Sequence, residues 1–160
     1  MVEGQSNPYQ ERFMKILFIC RGNVGRSQMA EAMFNNRASD EFQAFSAGTW
    51  VKNKSGESMH GRKINELDSA KEVINSISEI GIDIADNERT QLDPKMVEDA
   101  DLVIVMAEKH TLPDYLEGQA KARYWEVLDP KDMDQESTNE IRNQISGLVD
   151  ELISELGAKK

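Results

Sequence analysis

Lys15-Ile16-Leu17-Phe18-Ile19-Cys20-Arg21-Gly22-Asn23-Val24-Gly25-Arg26-Ser27 is the stretch on which the fold turns. Residues 15–20 form a short unbroken apolar run, as expected of a strand buried on both faces within a parallel sheet covered by helices. A glycine-containing turn follows at once. From Ser27 onward, Met29, Ala30, Ala32, Met33 and Phe34 are helix formers that build an apolar stripe. The order is therefore strand, tight loop, helix.

Working outward, residues 42–47 read as a second strand closed by Gly48, and residues 49–63 as a long polar loop containing Trp50. Ile64, Leu67, Ala70, Ile74, Ile77 and Ile80 recur at helical spacing and stop at Gly81, which predicts one helix across 64–80. Asp93-Pro94 opens a short helical turn, residues 102–106 form the next buried strand, and residues 124–128 supply a fourth. Ile141, Ile145, Leu148, Val149, Leu152, Ile153 and Leu156 predict an amphipathic C-terminal helix. Helices and buried strands alternate, giving an α/β domain over residues 14–157. Residues 1–13 read as a flexible polar tail and 157–160 as a second short one.

A chain of 160 residues with 39% hydrophobic and 30% charged residues suits one soluble domain with one core. Its longest apolar runs are far too short to span a bilayer, and the polar start has no signal-peptide core, so a cytoplasmic protein without membrane contact is expected. A formal charge of −10 opposes general attraction to nucleic acid, so any phosphate site must be local. With one Cys there is no internal disulfide, and two His do not make a convincing zinc site. Cys20 is left as either bland packing or chemistry.

Chemistry has the better case. Ligands of open α/β sheets bind at the carboxyl ends of the strands, which is where Cys20 lies. The five residues between Cys20 and Arg26 can wrap into a cradle of inward N–H groups, and the following helix turns its positive end to the same centre. Such a loop binds a tetrahedral oxyanion and favours thiolate over thiol at Cys20. Arg26 can offer two parallel donors to two phosphoryl oxygens. Gly22 and Gly25 are expected to supply unusual backbone angles. Asn23 and Ser27 have side chains fit for internal hydrogen bonds, with Ser27 donating to the Cys20 sulfur. A buried strand-end Cys beside a helix-start Arg is the bland alternative, but it leaves the spacing of one Cys, two Gly and one Arg unexplained.

At these residues the chain resembles the low-molecular-weight protein tyrosine phosphatases, whose signature is a Cys, five residues, Arg and Ser after the first strand. Ser27-Gln28-Met29-Ala30-Glu31-Ala32-Met33-Phe34, Phe45-Ser46-Ala47-Gly48-Thr49-Trp50, Gly81-Ile82-Asp83-Ile84, the segment 100–106 and Asp129-Pro130 also look like family segments in family order. The resemblance implies a flavodoxin-like three-layer sandwich with a four-stranded parallel sheet, and no metal or organic cofactor. It implies catalysis by Cys20 as nucleophile and Arg26 as clamp on phosphate or another oxyanion. Arg21, Gly22, Asn23, Val24, Gly25 and Ser27 would form the phosphate-binding loop, with Ser46 buttressing Asn23. The substrate would be a phosphorylated protein or a small aryl phosphate.

The family's general acid comes from an Asp-Pro motif in a late loop, and two Leu-Asp-Pro-Lys strings compete for it. Asp129 follows the expected fourth strand and is taken as the acid; Asp93 is taken as a helix-start residue. Lys131-Asp132 stands where many members have aromatic residues. Trp50 either lines the cleft in their place or covers the sheet end. Gly25 stands where many members carry a second Cys able to protect the nucleophile as a disulfide. Arg21 either adds local charge for an anionic substrate or points into solvent, the latter being preferred.

Two rival functions remain. Arsenate reductases of the related lineage share the loop and often the Gln-Met-Ala-Glu run, but a chain with one Cys admits only a version using an external thiol. The other rival is a module that binds a phospho-ligand without turnover.

Overall fold

β1 (Met14–Cys20) lies inside a four-stranded, all-parallel sheet of order β2-β1-β3-β4, where β2 is Phe42–Gly48, β3 is Leu102–Val105 and β4 is Ala122–Tyr124. The computed structural model describes residues 13–160, so all but the last residue of the expected N-terminal tail lies outside the described residues. Flanked on both edges, β1 alternates its side chains between two cores. Ile16 and Phe18 pack with Met29, Met33 and Phe34 of α1 (Arg26–Arg37), Val73 and Ile77 of α2 (Lys71–Glu79), and Ile145 and Val149 of α4 (Gln135–Leu156). Leu17 and Ile19 pack on the other face with Val97 of α3 (Pro94–Asp99), Val103, Val105 and Leu116. The result is a three-layer α/β sandwich with the flavodoxin-like strand order. No helix among the described residues is long and apolar enough to cross a membrane.

Three expected elements differ. The fourth strand is Ala122–Tyr124, not 124–128. As an edge strand it is partly exposed and needs little apolar character, whereas the apolar residues after it serve packing above the sheet: Trp125 lies against Phe18 with ring centroids 5.7 Å apart, and Val127 is buried. The single helix expected across 64–80 is two 3-10 turns, Ile64–Glu66 and Asp68–Ala70, before α2. Leu67 is extended between them, and Lys63 is drawn into a bridge with Glu88, so backbone pairing overrides the helical period there. The expected C-terminal tail is tied down at Ala158, which is fully buried and whose carbonyl accepts from Ser39 N–H at 2.7 Å, while Lys159 and Lys160 are exposed.

Register decides what meets at the sheet edge. Cys20 pairs with Gly48, and Ile19 with both Ala47 and Val105. The loop after β1, the segment after β2 and the segment after β3 thus converge above the carboxyl ends of neighbouring strands.

Candidate active site

Cys20 is the last residue of β1 and only 2% exposed. The chain then folds over the end of β2: Thr49 N–H donates to the Cys20 carbonyl at 2.9 Å and Trp50 N–H to the Arg21 carbonyl at 2.8 Å. The approach is so close that a Cβ on Gly48 would stand 2.5 Å from the Arg21 oxygen and 2.8 Å from the Asn23 nitrogen. Gly48→Ala is therefore expected to lower stability by about 1–3 kcal/mol and to displace the loop, read by thermal unfolding together with a loss of oxyanion binding.

Gly25 takes φ −105° and ψ −88°, outside the helical and extended regions, while the left-handed angle of the loop falls on Asn23, whose φ is 54°. Asn is the side chain best able to tolerate that region, because its amide bonds locally. Gly25 serves a further purpose: a Cβ there would meet Pro130 Cγ at 2.9 Å, so its bareness lets the Asp129-Pro130 segment close on the loop.

The buried Asn23 amide orders the proton positions beneath the loop. Its Oδ1 accepts from Thr90 N–H at 2.8 Å and from Gln28 Nε2 at 3.3 Å, which leaves Nδ2 to donate to Ser27 Oγ at 2.8 Å and Ser46 Oγ at 3.0 Å. With its oxygen receiving that bond, Ser27 has its own hydrogen free for the Cys20 sulfur, 2.9 Å away. The network can thus support a sulfur that carries negative charge.

Arg26, at the start of α1, is 1% exposed. Its Nη1 donates to the carbonyls of Met106 at 2.6 Å and Val127 at 3.0 Å and to Glu108 Oε2 at 2.9 Å, while Nη2 reaches Glu108 Oε1 at 3.4 Å. Nε–H has no acceptor among the described residues, so the Nε and Nη2 edge is the one that can hold two oxygens of an oxyanion. Burial alone would lower the guanidinium, but the Glu108 hydrogen bond and the charges of Cys20, Asp129 and Glu108 carry its pKa above the ordinary value. For Glu108, burial pushes the carboxyl up, and the hydrogen bond and charge of Arg26 bring it below the ordinary value. Because the folded value is depressed, this pair stabilises the fold at neutral pH and loses that contribution as pH falls through the folded value. Acidification from about pH 5 to pH 3 is expected to lower the melting temperature of the wild type more than that of Glu108→Gln.

Asp129 Oδ2 lies 3.6 Å from Arg26 Nη2, and its Oδ1 accepts from Lys131 N–H at 3.0 Å, which turns the carboxylate over the loop. Asp93 is remote from this group and caps α3 through Met96 N–H at 2.9 Å. Trp50 is 47% exposed and lines a cleft of about 800 Å³ together with Cys20, Arg21, Arg26 and Asp129. Arg21, expected to point into solvent, instead lies with its guanidinium carbon 5.9 Å from the Trp50 ring centre and faces the cleft. Val24 also lines this cleft.

Four residues of the site escaped sequence reasoning. Glu108 could have been found as the first carboxylate beyond β3, at the same sheet edge as Cys20. Gly48 had a signal in its position at the end of a strand beside the loop. Gln28 and Arg89 had none, because their roles depend on contacts between segments about 60 residues apart; Gln28 Nε2 donates to the Glu88 carbonyl at 3.1 Å and Arg89 Nε to the Gly22 carbonyl at 3.1 Å.

A parallel α/β sheet whose first strand leads through a Cys-to-Arg oxyanion loop into its first helix defines a small class of domains that handle tetrahedral anions. The chain belongs to the low molecular weight phosphotyrosine protein phosphatase family, whose profile matches residues 15–160. This is a family of enzymes, including phosphatases and arsenate reductases. Among solved structures, a low molecular weight protein tyrosine phosphatase from T. tengcongensis is 31% identical, with a TM-score of 0.73 over 89% of this chain and 99% of that one. An arsenate reductase in its phosphate-binding state shares the fold, at 24% identity and a TM-score of 0.68 over 89% of this chain and 98% of that one. Among curated proteins, arsenate reductase 2 of Staphylococcus epidermidis is 28% identical over 138 residues, 84% of this chain and 92% of that protein.

Proposed function

We propose that the chain hydrolyses phosphomonoesters, as a protein tyrosine phosphatase of the reducing cytoplasm, where a free thiol persists. The observation that carries this reading is the Ser27 hydroxyl, aimed at the Cys20 sulfur by Asn23, in a loop whose far end is the buried Arg26 with Asp129 beside it. The Cys20 thiolate attacks phosphorus while the ester oxygen departs, and Asp129 gives that oxygen its proton. Arg26 and the loop N–H groups hold the three non-bridging oxygens as charge develops. Asp129, now ionised, takes a proton from water; the resulting hydroxide displaces sulfur from the phosphocysteine, giving inorganic phosphate and the thiolate again. Ser27 supports the sulfur each time it carries charge.

The test is phosphate release by the wild-type protein from an aryl phosphate and from a phosphotyrosine peptide at mildly acidic and neutral pH. Turnover of both is expected, and release from neither would sink the proposal. A second reading is favoured by the arsenate reductase names of curated relatives. In it, Cys20 attacks arsenate with loss of water, and two equivalents of an external thiol take the adduct to arsenite, leaving as disulfide. Thiol-dependent arsenite formation without phosphate release would select that reading; binding of phosphate with neither reaction would select a non-catalytic module.

A further inference from the structure

The cleft is lined by groups of both signs: Asp68, Asp129 and Asp132 among the carboxylates, and Arg21, Lys52 and Arg89 among the cations, together with the exposed Trp50. Arg26, Arg37, Arg62, Lys95, Arg123 and Arg142 each form an ion pair, but Arg21, Lys52 and Arg89 form none among the described residues. Arg21 and Arg89 are the arginines that form no ion pair among the described residues, and both line the same cleft as Lys52 in a chain of formal charge −10.

Arg89 is the most informative of them. It is only 6% exposed, it lines the cleft, and its one hydrogen bond uses Nε, leaving both Nη groups without a protein acceptor among the described residues. Burial pulls its pKa below the ordinary guanidinium value, and the charge of Cys20 opposes that pull. A cation this buried, with two free donor groups and no carboxylate, suits an anion that arrives from outside. In the same cleft, Lys52 Nζ lies 4.3 Å above the Trp50 ring centre, and the bridge from Lys52 to Ser58 holds this strip of chain in place. Trp50 thus has two cations against its ring, Arg21 and Lys52, and all three line the cleft.

We propose that Arg21, Lys52 and Arg89 form a second anion subsite. It takes a carboxylate that the substrate carries close to the phosphoryl group held by Arg26, so that phosphopeptides with acidic flanks are preferred. The subsite deepens the phosphatase reading and rests on it. The carboxylates that share the cleft argue for a singly charged group: a polyphosphate or nucleic acid would meet Asp68, Asp129 and Asp132 as well as the overall negative charge.

The experiment compares two phosphotyrosine peptides of equal length, one with Glu and one with Gln on each side of the phosphotyrosine. For the wild type, kcat/KM is expected to favour the Glu peptide by about five- to tenfold at low ionic strength, the scale of two or three exposed charge pairs. The preference is expected to fall toward unity at about 1 M salt. Lys52→Glu is expected to abolish it while turnover of the Gln peptide stays unchanged; Arg89→Lys is expected to keep part of it and Arg89→Gln to lose it. Calorimetric binding of the same peptides to Cys20→Ser protein separates the two proposals. Tighter binding of the Glu peptide, even if the wild type turns over neither, would support the subsite and remove the phosphatase reading. Equal kcat/KM for the two peptides, or a preference that survives in Lys52→Glu, would overturn the subsite and leave the phosphatase reading standing.

Discussion

Cys20→Ser is expected to bring phosphate release to background, a fall of about 10⁴-fold or more, with the melting temperature little changed. Serine is nearly isosteric and keeps the contact with Ser27 and the end of β1, so the buried network has no reason to rearrange. What is lost is the attacking sulfur, because a serine hydroxyl is a far weaker nucleophile than a cysteine sulfur. Inorganic phosphate should still bind the loop, since the Arg26 edge and the loop N–H groups are intact. Residual turnover near the wild-type rate would remove Cys20 from the reaction and with it the covalent route. Loss of both binding and melting cooperativity would mean instead that the sulfur is a packing atom.

Asp129→Asn is the second large effect. The amide can neither give the ester oxygen a proton nor take one from water, so kcat is expected to fall by about 10² to 10⁴-fold. The loss should be steeper for a phosphotyrosine peptide than for an ester of a strongly acidic phenol, whose leaving group needs less protonation. An Asn at 129 can still accept from Lys131 N–H, and Asp129 is 45% exposed, so stability should change by less than about 1 kcal/mol. Asp93→Asn is the control: Asn caps helices about as well as Asp, so neither turnover nor the start of α3 should change. A normal rate in Asp129→Asn would transfer the acid role elsewhere on the cleft, and a slow Asp93→Asn would reverse the choice between the two Asp-Pro strings.

Legibility varied along the chain for physical reasons. β1, α1, β3 and α4 could be read because each buries a face whose period is its own: two cores on either side of β1, and an apolar stripe along α4. β4 was misplaced because an edge strand buries little, so the strongest apolar signal nearby belonged to the packed loop after it. The helix expected across 64–80 broke at Leu67 because pairing of Lys63 with Glu88 drew its first part into turns, a competition that periodicity does not record.

The sequence by itself determined the alternation of strand and helix, the Cys-to-Arg spacing, and the placing of that loop at the carboxyl end of a buried strand, since each is a local pattern written within about 30 residues. Only the tertiary structure decided which partners the loop has. Glu108 and the Met106 and Val127 carbonyls hold Arg26, Thr90 and Gln28 orient Asn23, Pro130 closes on Gly25, and Arg89 backs Gly22. The reason is that strand register, not spacing along the chain, brings the ends of β1, β2 and β3 to one edge, and a hydrogen bond forms only between groups that this register sets about 3 Å apart.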